Sequence, residues 1–190
     1  MSSPKRHAHT LVIGGTGMLQ AMSLALAEQS RVLTSVARTR GSLEALDRAL
    51  SESSGEHRMV QLDWSNAEEF LERLTSHLGT TGPPDLVVAW IHGRELALRF
   101  GAALPRHPDA RFVHVIGSAS RSPDEVAAEL KARFPAREGL QYRQVVLGAQ
   151  GTGPSARWLT DREISAGVLE AIARDAPTHV VGTLDRWRNG

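Results

Sequence analysis

Residues 10–27 read Thr-Leu-Val-Ile-Gly-Gly-Thr-Gly-Met-Leu-Gln-Ala-Met-Ser-Leu-Ala-Leu-Ala. An apolar, β-branched run, Leu11-Val12-Ile13, ends in Gly14-Gly15-Thr16-Gly17, and a helical pattern rich in alanine and leucine starts at once. Strand, glycine turn and helix in that order form the phosphate-binding corner of a dinucleotide-binding βαβ unit. The reason is chemical: a pyrophosphate needs several donors at close range. Glycine lacks a Cβ, so the backbone can approach, and the helix start supplies free N–H groups at the positive end of a dipole. The same glycines also fit an ordinary tight turn.

The rest of the chain repeats the alternation. Strands are predicted at Thr10–Ile13, Arg31–Val36, Met59–Leu62, Asp85–Trp90, Arg111–Ile116, Gln141–Leu147 and Thr178–Val181. Helices are predicted near Met18–Glu28, Ser42–Ser51, Asn66–His77, Arg94–Leu104, Pro123–Arg133 and Asp161–Arg174. Such alternation predicts an α/β, single-domain Rossmann fold: a doubly wound parallel sheet of about seven strands with helices on both faces. With 190 residues and no linker or repeat, one domain over 1–190 is expected, residues 1–8 forming a flexible tail. Three helix starts match the capping box, at Ser65–Glu68, Ser122–Glu125 and Thr160–Glu163.

Composition narrows the function. Net charge is +1, hydrophobic residues make up 41% and charged residues 23%, and no basic cluster is interleaved with aromatics, so no nucleic-acid partner is expected. Lys5 and Lys131 are the only lysines. Cysteine is absent, which excludes disulfides, thiolate metal sites and cysteine nucleophiles. The start has no apolar leader and no stretch reaches membrane-spanning length, so no membrane partner and a cytoplasmic location are expected. His7-Ala8-His9 lacks the partners of a metal site, and Gly117-Ser118-Ala119 lacks a hydrolase elbow.

The second strand bears on which dinucleotide binds. A site for NAD usually places a carboxylate there for the ribose hydroxyls. Ser35-Val36-Ala37-Arg38-Thr39-Arg40 has none, and Arg38 and Arg40 suit the 2′-phosphate of NADP(H). Two solvated loop arginines are the plainer alternative. Asp63 at the third strand end fits the adenine amino group with Trp64 beside the ring, or else merely a turn. At the third fingerprint glycine stands Gln20, a change that bears on helix packing more than on phosphate; Ala21 and its small neighbours are expected to restore the clearance.

These segments together resemble the short-chain dehydrogenase/reductase superfamily over nearly the whole chain. Gly14-Gly15-Thr16-Gly17-Met18-Leu19 is similar to the turn of its atypical and extended members, Val36-Ala37-Arg38 to the NADP-preferring version, and Leu62-Asp63 to the adenine contact. Val88-Ala89-Trp90-Ile91-His92-Gly93 stands where the family has Asn-Asn-Ala-Gly, and Val115-Ile116-Gly117-Ser118 where it carries a catalytic serine. Val-Ala-Trp-Ile-His, Val-Ile-Gly-Ser and Arg157–Ser165 also resemble a little-studied bacterial subgroup of small proteins. The resemblance implies cofactor contacts at Gly14, Gly15, Thr16, Gly17, Met18, Leu19, Arg38, Thr39, Arg40, Asp63, Trp64, Ala89, Trp90, Ile91 and Gly117.

One departure is large. The family's tyrosine, with a lysine four residues on, is missing. The only tyrosine, Tyr142, is followed by Arg143-Gln144-Val145-Val146 and falls in a predicted strand; Lys131 has Ala127 four residues before it. The family mechanism is therefore not inherited. Ser118 and His92 become the candidate catalytic groups, for a substrate carbonyl or as acid or base. Ser120 is a weaker candidate, and mid-strand His114 reads as a core histidine. After the sixth strand, Leu147-Gly148 stands where the family has Pro-Gly before a loop over the nicotinamide. Arg157 and Trp158 there read as a lid, or Trp158 as packing for the last helix.

Two functions follow. One is an NADPH-dependent reductase of a small carbonyl, imine or activated double bond. The other is an NADP(H)-binding sensor or scaffold without chemistry. Leu96, Leu98, Phe100, Val126 and Leu130 are read as apolar surface for a homodimer or homotetramer.

Overall fold

The computed structural model describes residues 6–117, 121–151 and 156–188. Ten longer elements follow the expected alternation: β1 (His7–Ile13), α1 (Gln20–Gln29), β2 (Ser30–Ala37), α2 (Arg40–Ala49), β3 (Glu56–Gln61), α3 (Ala67–Thr81), β4 (Leu86–Ala89), α4 (Arg94–Ala103), β5 (Ala110–Ile116) and α5 (Pro123–Arg133). The chain continues with β6 (Leu140–Leu147), β7 (Ala149–Gln150), β8 (Arg157–Trp158), α6 (Asp161–Arg174), β9 (Thr178–Val181) and α7 (Asp185–Arg188). Seven strands form one parallel sheet in the order β3-β2-β1-β4-β5-β6-β9. The fold is a Rossmann-like α/β domain. The short antiparallel pair β7–β8 and the turn of helix α7 were not legible as periodic patterns.

Both sheet faces are covered, so strand interiors read as unbroken apolar runs. Leu11, Val12, Ile13, Val87, Val88 and Ala89 are wholly buried. Val12, Val88, Val113 and Val145 face a core with α1 and α6, while Leu11, Ile13, Val87 and Phe112 face α3 and α4. The sequence runs outward from β1 to β3, then returns to place β4 on the other side of β1. That reversal opens a crevice at the carboxyl ends of β1 and β4, where open α/β sheets bind ligands.

Several local expectations need correction. β1 starts at His7, so two residues assigned to a tail belong to the sheet. Asp85 explains this: its carboxylate accepts from His9 N–H at 2.8 Å and Ala8 N–H at 3.2 Å. Burial pushes the Asp85 carboxyl up, but the bonds from His7, His9 and Ala8 outweigh it and hold it at about 2. Of the three capping boxes only one forms. Ser65 gives its N–H to Asp63 at 2.9 Å, so α3 starts a residue later and Asn66 caps it, accepting from Glu69 N–H at 3.3 Å. Ser122 turns its hydroxyl to the Asp124 carboxylate instead of the backbone. At Thr160 the box is complete: its hydroxyl accepts from Glu163 N–H at 3.3 Å, and Glu163 accepts from Thr160 N–H at 2.8 Å. Thr160→Ala is expected to lower stability by about 1 kcal/mol, read as a shifted urea midpoint at unchanged slope.

The proposed apolar pairing surface is also overturned. Leu96, Leu98, Phe100, Val126 and Leu130 are all buried within the single chain. They lie on two helices, α4 and α5, and fill two core clusters: Leu96 and Phe100 in one, Leu98, Val126 and Leu130 in the other. Among the described residues no helix is long and apolar enough to cross a membrane, and none of the His, Asp and Glu groups could hold a metal ion.

Candidate functional site

The glycine turn is built by contacts that only glycine allows. Gly14 has φ +77°, and a Cβ there would lie 2.8 Å from the Trp90 carbonyl oxygen. Its N–H donates to Val36 O at 3.0 Å, tying the turn to β2. A Cβ on Gly15 would run into Ser23 Oγ and Val12 Cγ1. Ser23, wholly buried, donates to Gly15 O at 2.9 Å and Leu19 O at 3.1 Å. Ser23 therefore supplies the close approach of helix to strand; Ala21 does not, being exposed on the far side of α1. Gly17 differs from both, because a Cβ there would meet nothing within 4 Å. The last helix is fastened to the same turn: Ser165 Oγ donates to Met18 O at 2.9 Å.

A cleft of about 350 Å³ runs from this turn over the end of β2. Gly14, Thr16, Gly17, Met18, Arg38, Thr39, Trp64 and Trp90 line it, together with His92. Ala37 and Ser42 line it too and were missed. Ser42 accepts from the Thr39 hydroxyl at 2.8 Å and donates to Thr39 O at 2.9 Å, so it belongs to the β2–α2 turn. Its signal was simply its place within the first turn of α2.

The two candidate arginines part company. The Arg38 guanidinium carbon stands 5.2 Å from the Trp64 ring centre, a cation–π contact, and among the described residues no carboxylate lies within ion-pair distance of it. Arg40 turns outward and pairs with Glu44 at 2.7 Å. Asp63 is exposed, and its carboxyl is held below its ordinary value by Ser65 first and by Arg38 only weakly. Leu19 and Ala89 are wholly buried behind the turn, and Ile91 is buried against α3 and α4.

A second cavity, about 410 Å³, opens beyond Trp90 at the ends of β5 and β6. Trp90, His92, Gly117, Leu147, Gly148, Trp158, Leu159 and Ile164 line it. Trp90 and His92 border both spaces, with their rings edge to face at 5.0 Å. Trp158 arrives on the β7–β8 hairpin, which Ala149 ties to Thr183 through two hydrogen bonds of 2.8 Å. Neighbouring Arg157 grips Glu163 with two bonds of 2.8 Å, and the Trp158 ring lies 5.7 Å from that of Trp187. Trp158 thus both packs and borders the cavity.

Ser118 and Ser120 lie outside the described residues, as do four residues of the loop after Gly151. His92 is exposed at the junction of the two spaces. His114 is buried, and desolvation lowers its imidazole to about 4. The Tyr142 hydroxyl accepts from Gln144 at 3.2 Å and shares a hydrogen bond of 2.9 Å with His114 Nδ1. Burial pushes Tyr142 up to about 12, and its ring stacks on Phe134 at 3.8 Å. Tyr142 is therefore a packing residue in β6. Lys131 is exposed on α5.

No protein-family model and no curated protein matches the chain. Solved structures do match. One, described as "a putative short chain dehydrogenase" from Pseudomonas syringae, superposes with TM-score 0.60 at 18% identity over 80% of this chain and 81% of that one. The likeness is one of fold.

Proposed function

We propose that the chain binds NADP(H) and acts as a reductase on a small carbonyl or imine compound. The observation that carries this reading is a pair of adjoining spaces with Trp90 and His92 as shared walls: a cleft with the glycine turn and an uncommitted guanidinium over β2, and a separate cavity past Trp90. The residues fit the cofactor. Gly17 leaves open space above the helix start where a pyrophosphate would lie, and Thr16 adds a hydroxyl donor. Arg38, with Thr39 and Ser42 beside it, would hold the 2′-phosphate. Trp64 keeps the guanidinium in place without neutralising it.

Bound by the glycine turn and Arg38, a reduced coenzyme would supply a hydride to the carbonyl carbon, and the carbonyl oxygen would take a proton to give an alcohol. His92 at the junction is the described group able to pass that proton. Trp90, Leu147, Leu159 and Ile164 would keep bulk water out. A sensor or scaffold without turnover is the second reading; the burial of Tyr142 favours it, since no tyrosine reaches the cleft.

Titrating NADPH and NADH against tryptophan quenching tests the reading. Arg38→Ala is expected to weaken NADPH by about 10- to 150-fold, the equivalent of about 1.5–3 kcal/mol for a charged hydrogen bond, and to leave NADH within about twofold. Equal losses for both coenzymes would end the NADP(H) assignment. NADPH oxidation over a carbonyl and imine panel, with His92→Ala and Ser118→Ala as controls, then separates reductase from sensor.

A further inference from the structure

The second cavity is unusual in what its walls lack. Among the described residues no lysine, arginine, aspartate or glutamate lines it, and His92 is the one titratable side chain. Arg157 on the hairpin is paired with Glu163 in a two-pronged contact and is not one of the residues lining the cavity. Arg94 and His114 lie instead on a small adjoining recess of about 90 Å³.

What the walls do offer is flat and apolar. Two indoles, Trp90 and Trp158, border the space, and Leu147, Leu159 and Ile164 supply aliphatic surface. Gly117 and Gly148 present bare backbone; a Cβ on Gly117 would already lie 3.1 Å from the Trp90 ring. Such walls suit a planar ring, which gains both burial and ring contact. The lining side chains also offer indole N–H and imidazole groups but no carboxylate, which matches a ligand that only accepts hydrogen bonds. A carboxylate ligand would lose water here without finding a cation, a heavy cost. At about 410 Å³ the space is near the small end of ligand sites, which span roughly 300–1,000 Å³.

We propose that this cavity selects an uncharged aromatic ketone or aldehyde of one or two rings, held against Trp90 and Trp158 with its carbonyl toward His92, and rejects carboxylates of the same shape. As a substrate class this rests on the reductase reading above. As a binding property it can be measured without coenzyme.

The experiment uses the full chain and a matched pair of probes, 2-acetylnaphthalene and 2-naphthoate, followed by calorimetry. The neutral ketone is expected to bind at least about thirtyfold more tightly than the anion, for want of a cation in the walls. Trp158→Ala should weaken the ketone by about tenfold or more, as loss of a buried aromatic anchor does. Leu159→Arg, at a half-buried lining position, should reverse the preference by tightening naphthoate about tenfold or more. Equal binding of the two probes, or a ketone affinity within about twofold of wild type in Trp158→Ala, would overturn the proposal. An NADPH titration on the same sample is read separately. Ketone binding without NADPH binding removes the coenzyme reading and keeps this one; the converse removes this one alone.

Discussion

Gly17→Asp is expected to abolish NADPH binding while leaving the protein as stable as before. The two halves of that statement come from one geometric fact. A Cβ on Gly17 meets nothing within 4 Å, and the residue does not need a positive φ, so a side chain costs the fold little. That same open space is where the diphosphate would lie, at the positive end of α1. An aspartate there sets a carboxylate against a phosphate, and a like-charge contact of this kind costs several kcal/mol, about 3 or more, hence about a hundredfold or more in affinity. Calorimetry with NADPH and a urea melt on the same variant decide the matter. Retained affinity would place the diphosphate elsewhere. Gly14 offers no such clean separation, because its positive φ and the Trp90 carbonyl at 2.8 Å from a built Cβ would strain the fold itself.

The second large effect is on stability in mild acid. Unfolded, the His114 imidazole titrates near 6.5; folded, burial holds it at about 4. Between those values the unfolded chain takes up a proton that the folded chain refuses. Its contribution is therefore complete above pH 6.5 and is lost as pH falls toward 4. Over the full window this amounts to about 3 kcal/mol of lost stability. His9, also lowered chiefly by burial, acts in the same direction. Asp85 belongs to a different window, since its contribution is lost only as pH falls below the ordinary carboxylate value toward 2. His114→Gln keeps a hydrogen-bonding group for the Tyr142 hydroxyl and removes the titration. The variant should lose about 2–3 kcal/mol less than wild type between pH 7.5 and 4.5, by urea melts at each pH. Parallel losses in the two proteins would show that His114 is not the group responsible.

The main architecture was legible because two periodicities alternate without interruption. Leu11-Val12-Ile13 and Leu86-Val87-Val88-Ala89 could only be strands covered on both faces, and the glycines at 14, 15 and 17 could only follow the first of them. Ends of elements were harder. The motif Ser-Asn-Ala-Glu at 65–68 has the letters of a capping box, yet Asp63 takes the Ser65 N–H first and hands the cap to Asn66. Competing local hydrogen bonds of this sort are invisible to a pattern of letters. The site was legible where its residues follow the strands directly, as Arg38, Trp90 and His92 do. It was not legible where residues far apart in sequence meet, as Ala149 with Thr183 and Trp158 with Trp187 do. Nor could spacing tell Arg38 from Arg40: one lies over Trp64 and the other has Glu44 a helical turn away.

The hydroxyl of Ser165, which reaches back 147 residues to the Met18 carbonyl, ties the end of the chain to its beginning. A Rossmann half-domain cut after β5 would keep every glycine of the phosphate loop yet lose the brace that shapes it. Fraying of the last long helix would thus loosen the glycine turn as well. Whatever steadies that helix, including Thr160 at its start, also steadies the glycine turn it braces.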